Sequence, residues 1–282
     1  MMKFYEKYRE AVNRNNSLVC VGLDTNPKLI PDFLNQEPDP IFAFNQRIID
    51  ATCDLVSAYK LNSAFYEAHG SKGFEILKKT RDYIPAHIPA ILDGKRGDIG
   101  NSSKMYAKMA FDEFGFDAIT VNPYLGGDSI EPFLEYKDKG IFVLCLTSNS
   151  GALDFQMHGK PPLYLRVAEL VNKWNTNKNC GLVIGATKAE LLKKVREFAP
   201  ELILLIPGVG AQGGNIEEVV KYGVGTIHVE AKRKSCSAEV GLPLLIINSS
   251  RAIIYASHES DFAQKAREST ITLRDNINKW RK

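Results

Sequence analysis

The chain has 282 residues, 44% hydrophobic and 24% charged, the make-up of a folded globular protein with a sizeable core. Its 36 basic and 33 acidic residues are dispersed and leave a net charge of +3, without the concentrated basic face of a nucleic-acid binder. No run reaches the ~18 apolar residues of a membrane span, and the N-terminal MMKFYEKYREAV lacks an apolar signal core, so a cytosolic protein without nucleic-acid or membrane partners is expected.

In chain order, short apolar runs rich in β-branched residues end at Asp24 (SLVCVGLD), Asn62 (LVSAYKLN), Lys95 (PAILDGK), Tyr124 (FDAITVNPY) and Asn149 (GIFVLCLTSN). Three more end at Thr187 (GLVIGAT), Gly210 (LILLIPGVG) and Arg251 (PLLIINSSR). Continuous rather than alternating apolar runs of this length mark strands buried on both faces of a parallel sheet. Between them FNQRIIDATCDLVSAY, SSKMYAKMAFDEFG, PLYLRVAELVNKWN, KAELLKKVREFA and NIEEVVKYG carry apolar residues at helical intervals. Eight strand-like runs alternating with helices predict a single-domain α/β fold, a (β/α)8 TIM barrel over residues 1–282, in preference to a doubly wound open sheet. The stretch around residues 150–180 holds more loop than a plain connection needs and is expected to act as a lid. Cys20, Cys53, Cys145, Cys180 and Cys236 are odd in number and lack CxxC spacing, which fits reduced thiols in an intracellular compartment.

A barrel of this kind builds its site at the C-terminal ends of its strands, here Asp24, Lys60, Asp93, Lys95, Ser148, the glycines from Gly208, and Arg251. Asp93 and Lys95 stand two apart on a strand and so leave the same face, with Asp98 beyond on the turn eased by Gly94 and Gly97. Beside Lys60 they make an array of alternating sign, in which opposite charges keep each carboxylate ionised and each lysine protonated. Spacing alone fits equally an electrostatic catalytic site and a salt-bridge cluster closing the barrel mouth.

PGVGAQGG, from Pro207 to Gly214, imitates the G-x-G-x-x-G dinucleotide fingerprint, with Glu230 following. That fingerprint belongs to the first βα turn, whereas here it follows the seventh strand, so a phosphate held by backbone N–H groups and Arg251 is the better reading. The histidines show no metal-ligand spacing, and Ser148 has no legible His/Asp partners, so neither a transition-metal centre nor acyl-enzyme chemistry is expected.

DGKRGDIGNS, with VGLD, YKLN, TSNSGA, PGVGAQGG and NSSRAIIYA in this order, resembles the orotidine 5'-phosphate decarboxylase family, in its longer bacterial-type subgroup. The resemblance implies cofactor-independent decarboxylation of orotidine 5'-monophosphate (OMP) to UMP, the last step of UMP synthesis. It makes Lys60, Asp93, Lys95 and Asp98 the charged tetrad, with Asp98 reaching into the neighbouring subunit's site of an obligate homodimer. Asp24 and Lys60 are then expected at the ribose, Ser148 at the pyrimidine amide edge, and Gln212, Gly213 and Arg251 at the phosphate. Ile99 and Ser102 complete the dimer-crossing segment, Ser102 standing where threonine is usual, and Gln156 is expected as a lid contact. Other readings are a Mg2+-dependent sugar-phosphate decarboxylase or aldolase of the same superfamily, against which Lys60 argues, a silent phosphoribosyl-binding protein, and a nicotinamide-dependent oxidoreductase.

Overall fold

A computed structural model describes residues 2–185, 189–208, 215–227 and 242–281. Its barrel strands are β1 Val19–Gly22, β2 Ala58–Asn62, β3 Ala90–Arg96, β4 Ala118–Val121, β5 Gly140–Leu146, β6 Cys180–Ile184, β7 Ile203–Pro207 and β8 Leu245–Ser249, beside a separate antiparallel pair, Thr226–Ile227 with Leu242–Pro243. The barrel strands all pair in parallel and close in the order β1-β8-β7-β6-β5-β4-β3-β2. Helix α1, Phe4–Asn15, precedes β1. A helix of two turns or more then follows each barrel strand: α2 Pro40–Thr52, α3 Gly70–Tyr83, α4 Gly100–Lys108, α5 Gly127–Leu134, α6 Leu163–Trp174, α7 Ala189–Phe198, α8 Ile216–Gly223 and α9 Phe262–Trp280, with shorter helical turns at Ala64–Glu67, Ala152–Phe155 and Arg251–Ile254. The fold is the expected (β/α)8 barrel, and all eight apolar runs are its strands.

Every residue of β1, β4, β6 and β8 is buried, as the unbroken apolar runs required. Inside the barrel, Gly181 on β6 leaves room for the Phe142 ring of β5, which a Cβ would meet at 2.6 Å. Phe142 packs edge-on against Phe4 of α1 at 5.6 Å between ring centroids. The same helix sends the Tyr8 hydroxyl to the Leu245 carbonyl at 2.6 Å, so α1 plugs the N-terminal end of the strands.

Helices α1, α3, α5 and α9 were not among the expected segments. For α9 the buried stripe explains why: it buries Phe262, Ala266, Thr270 and Ile277, and two of these four carry little apolar signal. Phe262 nonetheless stacks on Phe44 of α2 at 4.9 Å, which docks α9 against the barrel. In FNQRIIDATCDLVSAY the helix stops at Thr52 and β2 begins at Ala58, so the overlap of helical and strand signals resolves in favour of both. The stretch after β5 is compact rather than an open loop, with a helical turn at Ala152–Phe155 ahead of α6.

Arg196, in the last turn of α7, fastens this side of the barrel. Its guanidinium donates to the carbonyls of Ala199, Leu202 and Gly223 at 3.0, 2.8 and 2.6 Å, and to those of Pro200 and Leu244 at 3.2 and 3.1 Å. Burial lowers its pKa to about 10, so it is still a cation at neutral pH, held by carbonyl dipoles. R196M removes these donors and leaves carbonyls unpaired; denaturant unfolding is expected to show a loss of about 3 kcal/mol or more.

Candidate active site

The charged residues converge where the strands end. Lys60, in β2, is 3% exposed, and its Nζ donates to Asp93 Oδ2 at 2.8 Å while standing 3.6 Å from Asp24 Oδ1. Asp93, in β3, is 8% exposed, and its other oxygen accepts from Lys95 Nζ at 2.7 Å. Burial alone would pull the Lys60 pKa down, but the charges of Asp24 and Asp93 outweigh it and hold Lys60 above the ordinary lysine value. Burial likewise pushes Asp93 up, and Lys60 and Lys95 overcome this to hold its carboxyl well below the usual carboxylate range. The array is therefore ionised throughout its buried part. Below it, burial raises the inward-facing Cys20 thiol, which stays neutral.

Asp24 is carried on the segment after β1, and that segment rests on a buried polar network. Thr25 Oγ1 donates to Asn45 Oδ1 at 2.5 Å, and Asn45 Nδ2 donates to the Tyr66 hydroxyl at 3.0 Å and to Thr80 Oγ1 at 3.2 Å. The Tyr66 hydroxyl in turn donates to the Leu23 carbonyl at 2.8 Å. A fully paired network of this kind holds one arrangement, which fixes where Asp24 points. Gly22, at the end of β1, is required by close approach: a Cβ there would collide with Ser250, the residue that introduces Arg251.

Asp24, Lys60 and Asp93 line a cavity of about 220 Å³ together with Gly208, Asn248 and Arg251. One wall is thus anionic and cationic in alternation, and the opposite end, between β7 and β8, offers a guanidinium. Lys95 meets Asp93 from beside this cavity's lining, with 41% of its side chain exposed. A larger, mostly apolar cavity of about 680 Å³ lies between the segment after β4 and α6, away from the charged array.

The remaining expected residues are placed differently. Asp98 and Ile99 lie past the end of β3 and Ser102 on α4; Asp98 accepts only from the neighbouring Ile99 N–H at 2.8 Å, and no ion pair involves it among the described residues. Ser148 is exposed on the turn after β5 and is not part of the charged cavity's lining. Gln156 holds Thr147, accepting from its N–H at 2.7 Å and donating to its Oγ1 at 2.8 Å, so within the chain it braces the turn bearing Ser148. Gln212 and Gly213, with Gly210, Gly214, Glu230 and Cys236, lie outside the described residues.

Three residues that sequence reasoning missed belong to the site. Thr120 on β4 contacts the array directly, Asn248 on β8 turns a buried Oδ1 without a hydrogen-bond partner toward Gly22, and Asn62 lines the cavity. Their signal was a polar residue at an inward strand position, one layer from Lys60 or Asp93 by register. Among the described residues, no group of three or more His, Cys, Asp or Glu could hold a metal ion.

Comparison with known proteins converges on one family. The model of the Orotidine 5'-phosphate decarboxylase / HUMPS family matches residues 17–266. The chain belongs to the orotidine 5'-phosphate decarboxylase family. A Dehalococcoides mccartyi protein named orotidine 5'-phosphate decarboxylase is 49% identical over 287 residues, covering 100% of this chain and 99% of that protein. One of the same name from Christiangramia forsetii is 50% identical over 266 residues, 93% of this chain and 92% of that one. Among solved structures, Leishmania donovani OMP decarboxylase matches with a TM-score of 0.82 and 35% identity over 99% of both chains. Leishmania donovani UMP synthase matches with a TM-score of 0.82 and 37% identity, covering 100% of this chain and 57% of that one. No helix among the described residues of this family member is long and apolar enough to cross a membrane.

Proposed function

We propose that the chain decarboxylates OMP to UMP without a cofactor, the last step of UMP synthesis, in the cytosol. The observation that carries this reading is Asp93 locked between Lys60 and Lys95 on the wall of a cavity that ends in Arg251. Breaking the bond between C6 and the carboxylate leaves an electron pair in the plane of the pyrimidine ring, where the π system cannot delocalise it. Only nearby positive charge stabilises such a carbanion. Lys95 supplies it, and as CO2 departs a proton passes from Lys95 Nζ to C6; solvent then reprotonates the amine.

Asp93 faces the substrate carboxylate and Lys60 holds it ionised, while Asp24 and Lys60 bind ribose hydroxyls. Ser148 meets the pyrimidine amide edge, positioned by Gln156 through Thr147. Arg251 takes the phosphate with Gln212 and Gly213. Lys60 already sits between Asp24 and Asp93, the place a divalent cation would need in a metal-dependent sugar-phosphate lyase.

The site is completed by a second copy of the chain. Asp98 has no cationic partner within its own described chain, and the segments after β3, β4 and β5 leave apolar side chains exposed: Ile99 is 57% exposed, Tyr124 76% and Phe155 61%. Covering that surface brings Asp98, Ile99 and Ser102 to the partner's site.

The test is turnover: purified chain added to OMP should form UMP and CO2 in equal amounts. Arg251 touches no reacting atom, yet its binding energy is drawn on in the transition state, so R251A is expected to lower kcat/KM for OMP by about 100-fold. An unchanged kcat/KM would remove Arg251 from the site.

A further inference from the structure

Strands β3 and β4 leave simple register where the charged array begins. Ile91 and Leu92 pair with Ala118 and Ile119, and the next pairing is Arg96 with Val121, so Asp93, Gly94 and Lys95 all lie opposite Thr120. Extra residues on one strand of a ladder lose their backbone partners and bend the strand. Lys95 accordingly takes a left-handed conformation, φ +44°, which a residue with a side chain holds only where its surroundings enforce it.

The enforcing contact is a side chain. The Lys95 N–H donates to Thr120 Oγ1 at 2.9 Å, in place of the missing ladder bond. The same hydroxyl donates its proton to Asp93 Oδ1 at 2.9 Å, the oxygen that also accepts from Lys95 Nζ. These directions are fixed by chemistry: an amide N–H only donates, and an ionised carboxylate only accepts. Thr120 is fully buried, and its β-branched side chain has little rotamer freedom, so Oγ1 is aimed before any substrate arrives.

We propose that Thr120 is a positioning residue for decarboxylation. Its hydroxyl ties the backbone from which the Lys95 ammonium extends to the carboxylate against which that ammonium rests, and so sets where the proton is delivered. This rests on the OMP decarboxylase reading above. T120V keeps the shape but leaves the Lys95 N–H unpaired and takes one donor from Asp93, whereas T120S keeps both hydrogen bonds.

The experiment measures kcat and KM for OMP, with UMP inhibition constants, in wild type, T120V and T120S. T120V is expected to lose about 10- to 100-fold in kcat, because small misplacements of a reacting group are costly. KM and the UMP constant should stay within about 3-fold, and T120S should keep kcat within about 3-fold of wild type. A T120V kcat equal to wild type, a T120S loss as deep as that of T120V, or a parallel weakening of UMP binding would each overturn the positioning role. Should T120V fail to fold, T120C replaces it, with the same split expected and the same results counting against it. Wild-type turnover separates the two readings: an inactive wild type defeats the decarboxylase assignment, whereas an active wild type with an equally active T120V defeats only the role of Thr120.

Discussion

K95A is expected to bring OMP decarboxylation down by about 10⁴-fold or more, with the protein still folded and still binding UMP. The size follows from a double loss. Electrostatic stabilisation of developing charge in a water-excluded site is worth about 10²–10³-fold for a single donor, and general-acid delivery of a proton about 10²–10⁴-fold. Removing Lys95 also leaves Asp93 with Lys60 and Thr120 as its remaining side-chain partners, so the carboxylate stays paired and the barrel mouth keeps its shape. UMP lacks the carboxylate that leaves, and the ribose and phosphate contacts proposed for it do not involve Lys95. Single-turnover kinetics with UMP binding measured alongside separates this outcome from unfolding; a K95A enzyme within about 10-fold of wild type would remove Lys95 from the chemistry.

Subunit complementation is the second large effect. D98A is expected to be nearly inactive, like K95A. Mixing the two under conditions of subunit exchange should nevertheless restore activity, because one site of each mixed dimer then has Lys95 from one chain and Asp98 from the other. Random assortment makes half of the dimers mixed, and one of the two sites in each is intact, so recovery should approach about a quarter of wild-type activity. No recovery with exchange demonstrated by labelled subunits would place Asp98 in the site of its own chain.

Much of this architecture was legible in the sequence, for identifiable physical reasons. Strands buried on both faces must be apolar throughout, so the eight runs stood out. Lys60, Asp93 and Arg251 stood out because charge at the end of such a run is costly unless partnered. The proximity of Asp93 and Lys95 was expected from the two-residue alternation of a strand, and they are indeed joined at 2.7 Å. The geometry that joins them is another: the strand bulges at Gly94 and Lys95, and a left-handed lysine returns its side chain to Asp93.

What could not be read depends on contacts between distant positions. Thr25, Asn45, Tyr66 and Thr80 come from separate segments and look like ordinary buried polar residues until the fold assembles them behind Asp24. Helix α9 was hidden because alanine and threonine serve as its packing residues. Gln156, expected as a lid contact, is engaged with Thr147, since the compact turn after β5 brings residues nine apart together.

The measurement that bears most directly on the account is turnover of OMP by the purified wild-type chain in excess EDTA, following loss of the OMP absorbance and quantifying UMP and CO2. An array that supplies its positive charge from Lys60 and Lys95 predicts full activity in chelator, with one UMP and one CO2 for each OMP consumed. Absence of turnover, or turnover that appears only when a divalent cation is restored, would contradict it.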